Sequence, residues 1–174
     1  MKPRSHSPDG PLSRSEPSCL DRAVALLSRR SHFESEIRGK LRARRYPAEE
    51  IDRTLEKLRG LGYLDDRATA EQWVAGERRR RPQGRRRLSH RLERKGVDPE
   101  IVAAALDGID ESVELEEARR AADDWTRRHG YDPRRLARHL DGRGFGKRAI
   151  LVVLEERSDS SASSGFEAAT SDSE

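Results

Sequence analysis

The stretch Ile37-Arg-Gly-Lys-Leu41-Arg-Ala-Arg-Arg-Tyr46-Pro-Ala-Glu-Glu-Ile51-Asp-Arg-Thr-Leu55 places apolar residues at steps of four, five, five and four. The same steps return at Leu88, Leu92, Val97, Val102 and Leu106, and again at Leu136, Leu140, Phe145, Ile150 and Leu154. The copies lie 51 and 48 residues apart. A four-residue step keeps two side chains on one helical face, and a five-residue break with Gly or Pro marks the turn into another helix. A period of this length signals stacked helical units, none of which buries its apolar face alone. The expected fold is all-α, with three tandem three-helix repeats in an elongated, curved array.

Working outward, residues 1–19 are rich in Ser and Pro without periodicity and are expected to be disordered. The first repeat is expected over residues 20–63, with Leu20, Val24 and Leu27 on its first helix and Pro47, Glu49 and Glu50 opening its third. The second is expected over 64–109. Asp65 or Asp66 caps its first helix, which carries Ala70, Trp73 and Val74, and Pro82 ends that helix. Asp98 and Pro99 open the last helix of this repeat, which stops at Gly108. The third repeat is expected over 110–156, with Val113, Ala118, Ala121, Ala122 and Trp125 on a longer first helix broken at His129-Gly130. Residues 157–174 are acidic and Ser-rich and are expected to form a disordered, solvating tail, with an autoinhibitory role against the basic run left open.

The chain has 174 residues, 39% of them charged and 33% hydrophobic, which suits small cores with much surface rather than one large core. Cys19 is the single cysteine, so no intrachain disulfide forms, and no motif around it makes it a nucleophile. The longest apolar run, Ala149 to Leu154, is too short to span a membrane, and the N-terminus has no apolar signal core. A soluble, cytoplasmic protein without a membrane partner is expected.

Catalytic motifs fail one by one. Gly142-Arg-Gly-Phe-Gly-Lys147 lacks the phosphate-loop spacing, because Asp141 stands at the first glycine position and Arg148 where Ser or Thr would hold magnesium. It fails as a dinucleotide fingerprint too, since Lys147 takes the last glycine position. A turn explains these glycines, because Gly144 aligns with Gly96. His6, His32, His90, His129 and His139 lack partners at metal-ligand spacing. Asp65-Asp66 and Asp123-Asp124 point about 100° apart on a helix and share no site. Trp73 and Trp125 fall on apolar faces and read as core. No enzyme activity, metal or cofactor is expected.

The basic residues form a patch. Gly76 to Lys95 holds ten Lys or Arg against Glu77 and Glu93, although the whole chain is only +4. Arg78, Arg79, Arg80 and Arg81 precede a break at Pro82 and Gly84, and Arg85, Arg86 and Arg87 follow it, so arginines can converge from two helices. Overlaying the repeats adds a stripe at i, i+4 and i+8 of each second helix: Glu36, Lys40, Arg44; Arg87, Arg91, Lys95; Arg135, His139, Arg143. Like charges at this spacing cost a few tenths of a kcal/mol each, so a recurring stripe suits a long acidic partner. Arginine also pairs phosphate or carboxylate bidentately. Phosphate neutralisation would make binding to nucleic acid sequence-indifferent and salt-dependent. Single-strand specialists add exposed stacking aromatics, whereas most aromatics here read as core. The stripe itself leaves nucleic acid and an acidic protein groove both open.

Leu58-Arg-Gly-Leu-Gly-Tyr-Leu-Asp-Asp66, the Ala70-Glu-Gln-Trp-Val74 helix after it, and Arg85 to Gly96 leading into Val97 resemble the RecX family of RecA modulators. The resemblance covers roughly Leu20 to Glu156, and the chain departs from it in its Ser-rich ends and short third-repeat linker. It implies three three-helix units and a non-enzymatic protein that binds along the groove of the RecA–DNA filament. Restrained filament growth, ATP hydrolysis and strand exchange are implied with it, within DNA repair, recombination and the SOS response. The implied partners are RecA and DNA, single-stranded in the filament and also duplex, without sequence specificity. A monomer is expected, and the family has no catalytic residues to carry over. The alternatives are a stand-alone DNA-binding protein of helix-turn-helix-like units and a helical adaptor for acidic proteins.

Overall fold

The computed structural model describes residues 17–167. The expected disorder of residues 1–16 and 168–174 lies outside the described residues. Among those described there are nine helices and no strand: α1 Cys19–Leu27, α2 Glu34–Arg42, α3 Ala48–Gly60, α4 Asp66–Arg80, α5 Arg85–Glu93, α6 Pro99–Ala105, α7 Glu111–His129, α8 Pro133–Gly142 and α9 Lys147–Glu167. No helix of the described residues is long and apolar enough to cross a membrane.

Local chemistry sets the helix starts. Ser18 and Asp21 form a reciprocal capping box on α1. The carboxylates of Asp65, Asp98, Asp110 and Asp132 accept backbone N–H bonds at the starts of α4, α6, α7 and α8. Each such cap contributes about 1 kcal/mol. Pro99 and Pro133 follow two of them, where a missing N–H costs nothing. Before Pro82 the backbone of Arg81 is extended, and α4 ends at Arg80.

Each group of three helices closes on its own core. Ile37, Leu41, Ile51, Leu55 and Leu58 pack with Cys19, Ala23 and Leu64. Leu88, Leu92, Val97, Val102 and Leu106 pack with Ala70 and Val74. Leu136, Leu140, Phe145 and Ile150 pack with Ala118, Ala122 and Trp125. The repeated skeleton is buried apart from Tyr46 and Leu154, which lie half-buried at the core edges. Fully burying such a side chain stabilises by about 1.5–3 kcal/mol. Two residues tie the cores together, because Phe33 ahead of α2 and Val113 on α7 both pack on the second core.

The second helices meet end to end through equivalent positions. At the start of α2, the Ser35 hydroxyl donates to the Lys95 carbonyl at the end of α5, and Lys95 Nζ lies 2.7 Å from Glu36 Oε1. At the start of α5, Gly84 N–H donates to the Arg143 carbonyl beyond α8 (3.0 Å), and Arg87 donates to the Gly142 carbonyl (2.7 Å). Repeat spacing relates Lys95 to Arg143, so the same carbonyl accepts at both junctions, from Ser35 in one and from Gly84 in the other. Each helix C-terminus thereby faces the N-terminus of the preceding second helix, a favourable arrangement of dipoles.

The αL residue after each second helix shows what the junction demands. Gly96 and Gly144 have φ 71° and 80°, and the equivalent Arg45 has φ 64°. A Cβ on Gly96 would lie 3.1 Å from Ser35, and one on Gly144 would lie 2.4 Å from Arg87. No unit precedes the first among the described residues, so Arg45 meets no such neighbour and only its backbone is strained. That strain is worth about 1–2 kcal/mol. Arg45→Gly relieves it at the cost of added unfolded-state freedom of about 0.5–1 kcal/mol. A net gain of about 0.5–1 kcal/mol is therefore expected, and a urea midpoint that falls instead would rule out strain at this turn.

Two expected boundaries shift, and the first helix buries other positions than its leucines. Ser18 and Cys19 belong to the cap and first turn of α1, with Cys19 1% exposed, instead of a disordered segment. On α1 the buried positions are Cys19 and Ala23, which leaves Val24 44% exposed. Beyond Glu156 the chain continues as helix to Glu167. Arg157 pairs with Asp123, and the Ser158 hydroxyl bonds to the Leu154 carbonyl (2.9 Å) and lies 3.1 Å from the Tyr131 hydroxyl. These contacts dock the first residues past Glu156 on α7 and the α7–α8 turn, and an established helix extends at low cost per residue.

Candidate functional site

Pro82 and Gly84 turn the chain between α4 and α5, so that α4 and the second-helix stripe face each other across a groove. Its widest part, about 750 Å³, is lined by Arg80 at the end of α4 and Arg81 just beyond it, Arg87 and Arg91 from α5, and Arg138, His139 and Arg143 from α8 and its end. A depression of about 490 Å³ shares Glu77 and Arg80 with it and runs past Trp73 to Phe33 and Lys95. A third, about 300 Å³, shares Ser31, Thr69 and Gln72 with the second and ends among Val24, Leu27 and Tyr63. One groove thus follows α4, cationic at its C-terminal end and apolar at its N-terminal end.

The arginines of the central run divide sharply. Arg78 turns inward to Glu117 (3.3 Å), and its Nε is buried without a partner. Arg85 donates to the carbonyls of Leu106 and Ile109, and its backbone N–H bonds to Glu114. Arg86 holds the carboxylate and carbonyl of Asp141 at 2.7 and 2.8 Å. Arg87 spans both roles, bonded to the Gly142 carbonyl and lining the groove. Arg79 is exposed and bonds to the Ala75 carbonyl of its own helix (3.3 Å). Arg80 and Arg81 are exposed, and their side chains have no hydrogen bond or ion pair among the described residues.

The stripe is continuous at the junctions but unequal along its length. Arg91 is paired with Glu77 (2.5 Å), bonded to Gln83 and stacked over Trp73 at 4.7 Å. Lys95 lies 5.6 Å from the Phe33 ring centroid. Arg143 bonds to the Pro82 carbonyl (3.0 Å). Lys40 lies 2.8 Å from His32 Nε2, the Arg44 side chain is exposed without a partner among the described residues, and Arg135 lies over Trp125 at 6.0 Å. These last three do not line the cationic end of the groove. Sequence reasoning missed Arg138, because strict four-residue spacing from Arg135 passes to His139. Trp73 packs on the second core as expected but is only half-buried and also lines the groove wall, while Trp125 is buried.

Charge is concentrated in the groove. Burial, with the nearby Arg81 and Arg87 charges, lowers the pKa of Arg143. Burial and then the Arg143 charge lower that of His139, keeping its ring neutral at pH 7. The Arg91 hydrogen bond holds Glu77 below the usual carboxylate range, so one fixed anion stands inside a cationic wall. No group of three His, Cys, Asp or Glu among the described residues could hold a metal ion. The geometry suits binding an extended anion.

Models of the RecX first and second three-helix domains match residues 19–58 and 65–106. The regulatory protein RecX of Mycobacterium sp. (strain KMS) is 36% identical over 163 residues, covering 86% of this chain and 89% of that protein. That of Chlorobium phaeobacteroides (strain BS1) is 33% identical over 138 residues, covering 79% and 91%. The crystal structure of RecX from Lactobacillus salivarius superposes with a TM-score of 0.72 at 22% identity, covering 79% of this chain and 93% of that one, a likeness of fold. A second crystal structure of a regulatory protein RecX gives 0.71 at 26% identity, with coverage of 79% and 71%. With more than a third of its residues shared with the mycobacterial protein over most of both chains, and three-helix domains at the matched positions, this chain belongs to the RecX family.

Proposed function

We propose that the protein is a non-enzymatic, monomeric, cytoplasmic regulator of the RecA recombinase. In this reading it binds along the RecA–DNA filament and restrains filament growth, ATP hydrolysis and strand exchange. The observation that carries the reading is the end-to-end order of α8, α5 and α2, which turns a recurring sequence pattern into one basic line. At 1.5 Å per residue these helices together extend about 40 Å, enough to touch neighbouring subunits of a helical assembly. Several weak contacts engaged together gain avidity through effective concentration. A molecule bridging neighbouring subunits opposes the movements and additions that filament turnover needs. The basic line and the unpaired Arg80 and Arg81 side chains also suit DNA alone, which keeps a stand-alone DNA-binding protein as the second reading.

The test adds the protein, below one molecule per RecA subunit, to filaments preformed on single-stranded DNA. ATP hydrolysis is expected to fall several-fold and filaments to shorten. Unchanged hydrolysis and length, with bare DNA still bound tightly, would replace this reading by the DNA-binding one.

A further inference from the structure

We infer that the α4 groove is the docking site of an acidic protein segment that carries a single apolar anchor. That the segment belongs to a protein assembly rests on the reading above; the chemistry of the segment comes from the groove. Its cationic end holds Arg80, Arg81 and Arg138, whose side chains have no hydrogen bond or ion pair among the described residues. Its other end is a depression of about 300 Å³ walled by Val24, Leu27 and Tyr63, roomy enough for a leucine-sized side chain. Val24 is 44% exposed and Tyr63 63%, so this apolar surface is open to a partner.

The change of character along the groove selects the occupant. A nucleic-acid strand carries charge on every residue, and past Arg80 it would leave the cationic lining and meet the Asp65 carboxylate beside apolar Val24, Leu27 and Tyr63. Nor does the cationic end present a bare stacking platform. Trp73 is covered by the Arg91 guanidinium, and Trp125 is buried. A polypeptide can carry its carboxylates at one end and an apolar residue at the other. Ala68 and Arg80 are twelve residues apart on α4, about 18 Å. An extended segment covers that span in about five or six residues. The carboxylates therefore sit about six positions from the anchor.

The probe is a fluorescein-labelled peptide of serine and glycine with one leucine and four aspartates beginning six residues beyond it. A control peptide replaces the leucine with serine, and a twelve-residue oligothymidylate represents nucleic acid. Fluorescence anisotropy with the full chain is expected to show the anchored peptide binding at least tenfold tighter than the control. Val24→Asp should erase that difference while leaving oligothymidylate binding unchanged. Arg80→Glu with Arg81→Glu should weaken both peptides at least tenfold. Circular dichroism checks folding, and Tyr63→Asp supplies a second apolar-end variant should Val24→Asp misfold. Equal affinity for the two peptides, indifference to the apolar-end variant, or oligothymidylate binding that Val24→Asp abolishes would each overturn the inference. RecA ATP hydrolysis with the wild-type chain separates the two readings. Inhibition without anchored-peptide binding sinks the groove inference alone, and peptide binding without inhibition sinks the filament reading alone.

Discussion

Gly84→Ala is expected to uncouple the third unit from the second, at a cost of about 2–4 kcal/mol. A Cβ at this buried position would lie 2.2 Å from the Gly144 carbonyl oxygen and 2.3 Å from Phe145 N. Those are backbone atoms, and Phe145 is fully buried in the third core, so neither side can yield by a rotamer change. Overpacking of this kind costs about 1–3 kcal/mol. Loss of the Gly84 N–H bond to the Arg143 carbonyl adds about 1 kcal/mol. In a linear array, stability is a sum of unit and interface terms, so a broken interface separates the unfolding of its neighbours. The two tryptophans report this directly, with Trp73 on the second unit and Trp125 in the third. With the other tryptophan replaced by Phe, the two urea transitions should coincide in the parent and split in Gly84→Ala. Gly39→Ala is the control, because a Cβ there meets nothing within 4 Å and removes a glycine from a helix. Coincident, unshifted transitions in Gly84→Ala would show that the junction does not couple the units.

The fold was legible because its information is local and periodic. The skeleton from Ile37 to Leu154 encodes helical faces and turns. The Asp98-Pro99 start and the Pro82 stop need only residues adjacent in sequence. Where a neighbour distant in sequence decides the outcome, the reading ran out. Arg85 and Arg86 are adjacent and chemically identical, yet on a helix they point about 100° apart. One reaches the Leu106 and Ile109 carbonyls, the other Asp141, 55 residues away. No composition or spacing within the run distinguishes an arginine that holds a junction from one that faces a partner. The helix past Glu156 was hidden for the same reason, because Tyr131 and Asp123 that dock its first residues lie on and just after α7. The recurring stripe was visible only through the overlay of the repeats. Its continuity follows from the junctions, which place Lys95 beside Glu36 and Arg87 against Gly142 and Gly144 at the end of α8.

Reversing Arg80, Arg81 and Arg138 to Glu is expected to weaken binding to the RecA–DNA filament about 100-fold near 0.1 M salt while leaving the fold intact. These side chains are exposed and have no hydrogen bond or ion pair among the described residues, so replacing them removes no internal contact. Surface changes of that kind stay within about 0.5 kcal/mol. Here they also relieve repulsion, since the Arg81 charge already disfavours the cationic form of Arg143. Arg86 and Arg87 are unsuitable for this test, because both hold the α8 end and their loss would alter unit placement together with charge. Arg85→Ala makes the opposite comparison. It strands two backbone carbonyls that the guanidinium satisfied and should lower stability by about 2–4 kcal/mol. Salt then identifies what the three free arginines touch. Three phosphate contacts on single-stranded DNA would lower the slope of log K against log salt by about 2, since each contributes about 0.7. Contacts with carboxylates release no condensed counterions and leave a much shallower change. A steep loss of slope would therefore argue for DNA in the groove, and weakened binding with a nearly constant slope for an acidic protein surface. Unchanged affinity would remove the groove from the interface altogether.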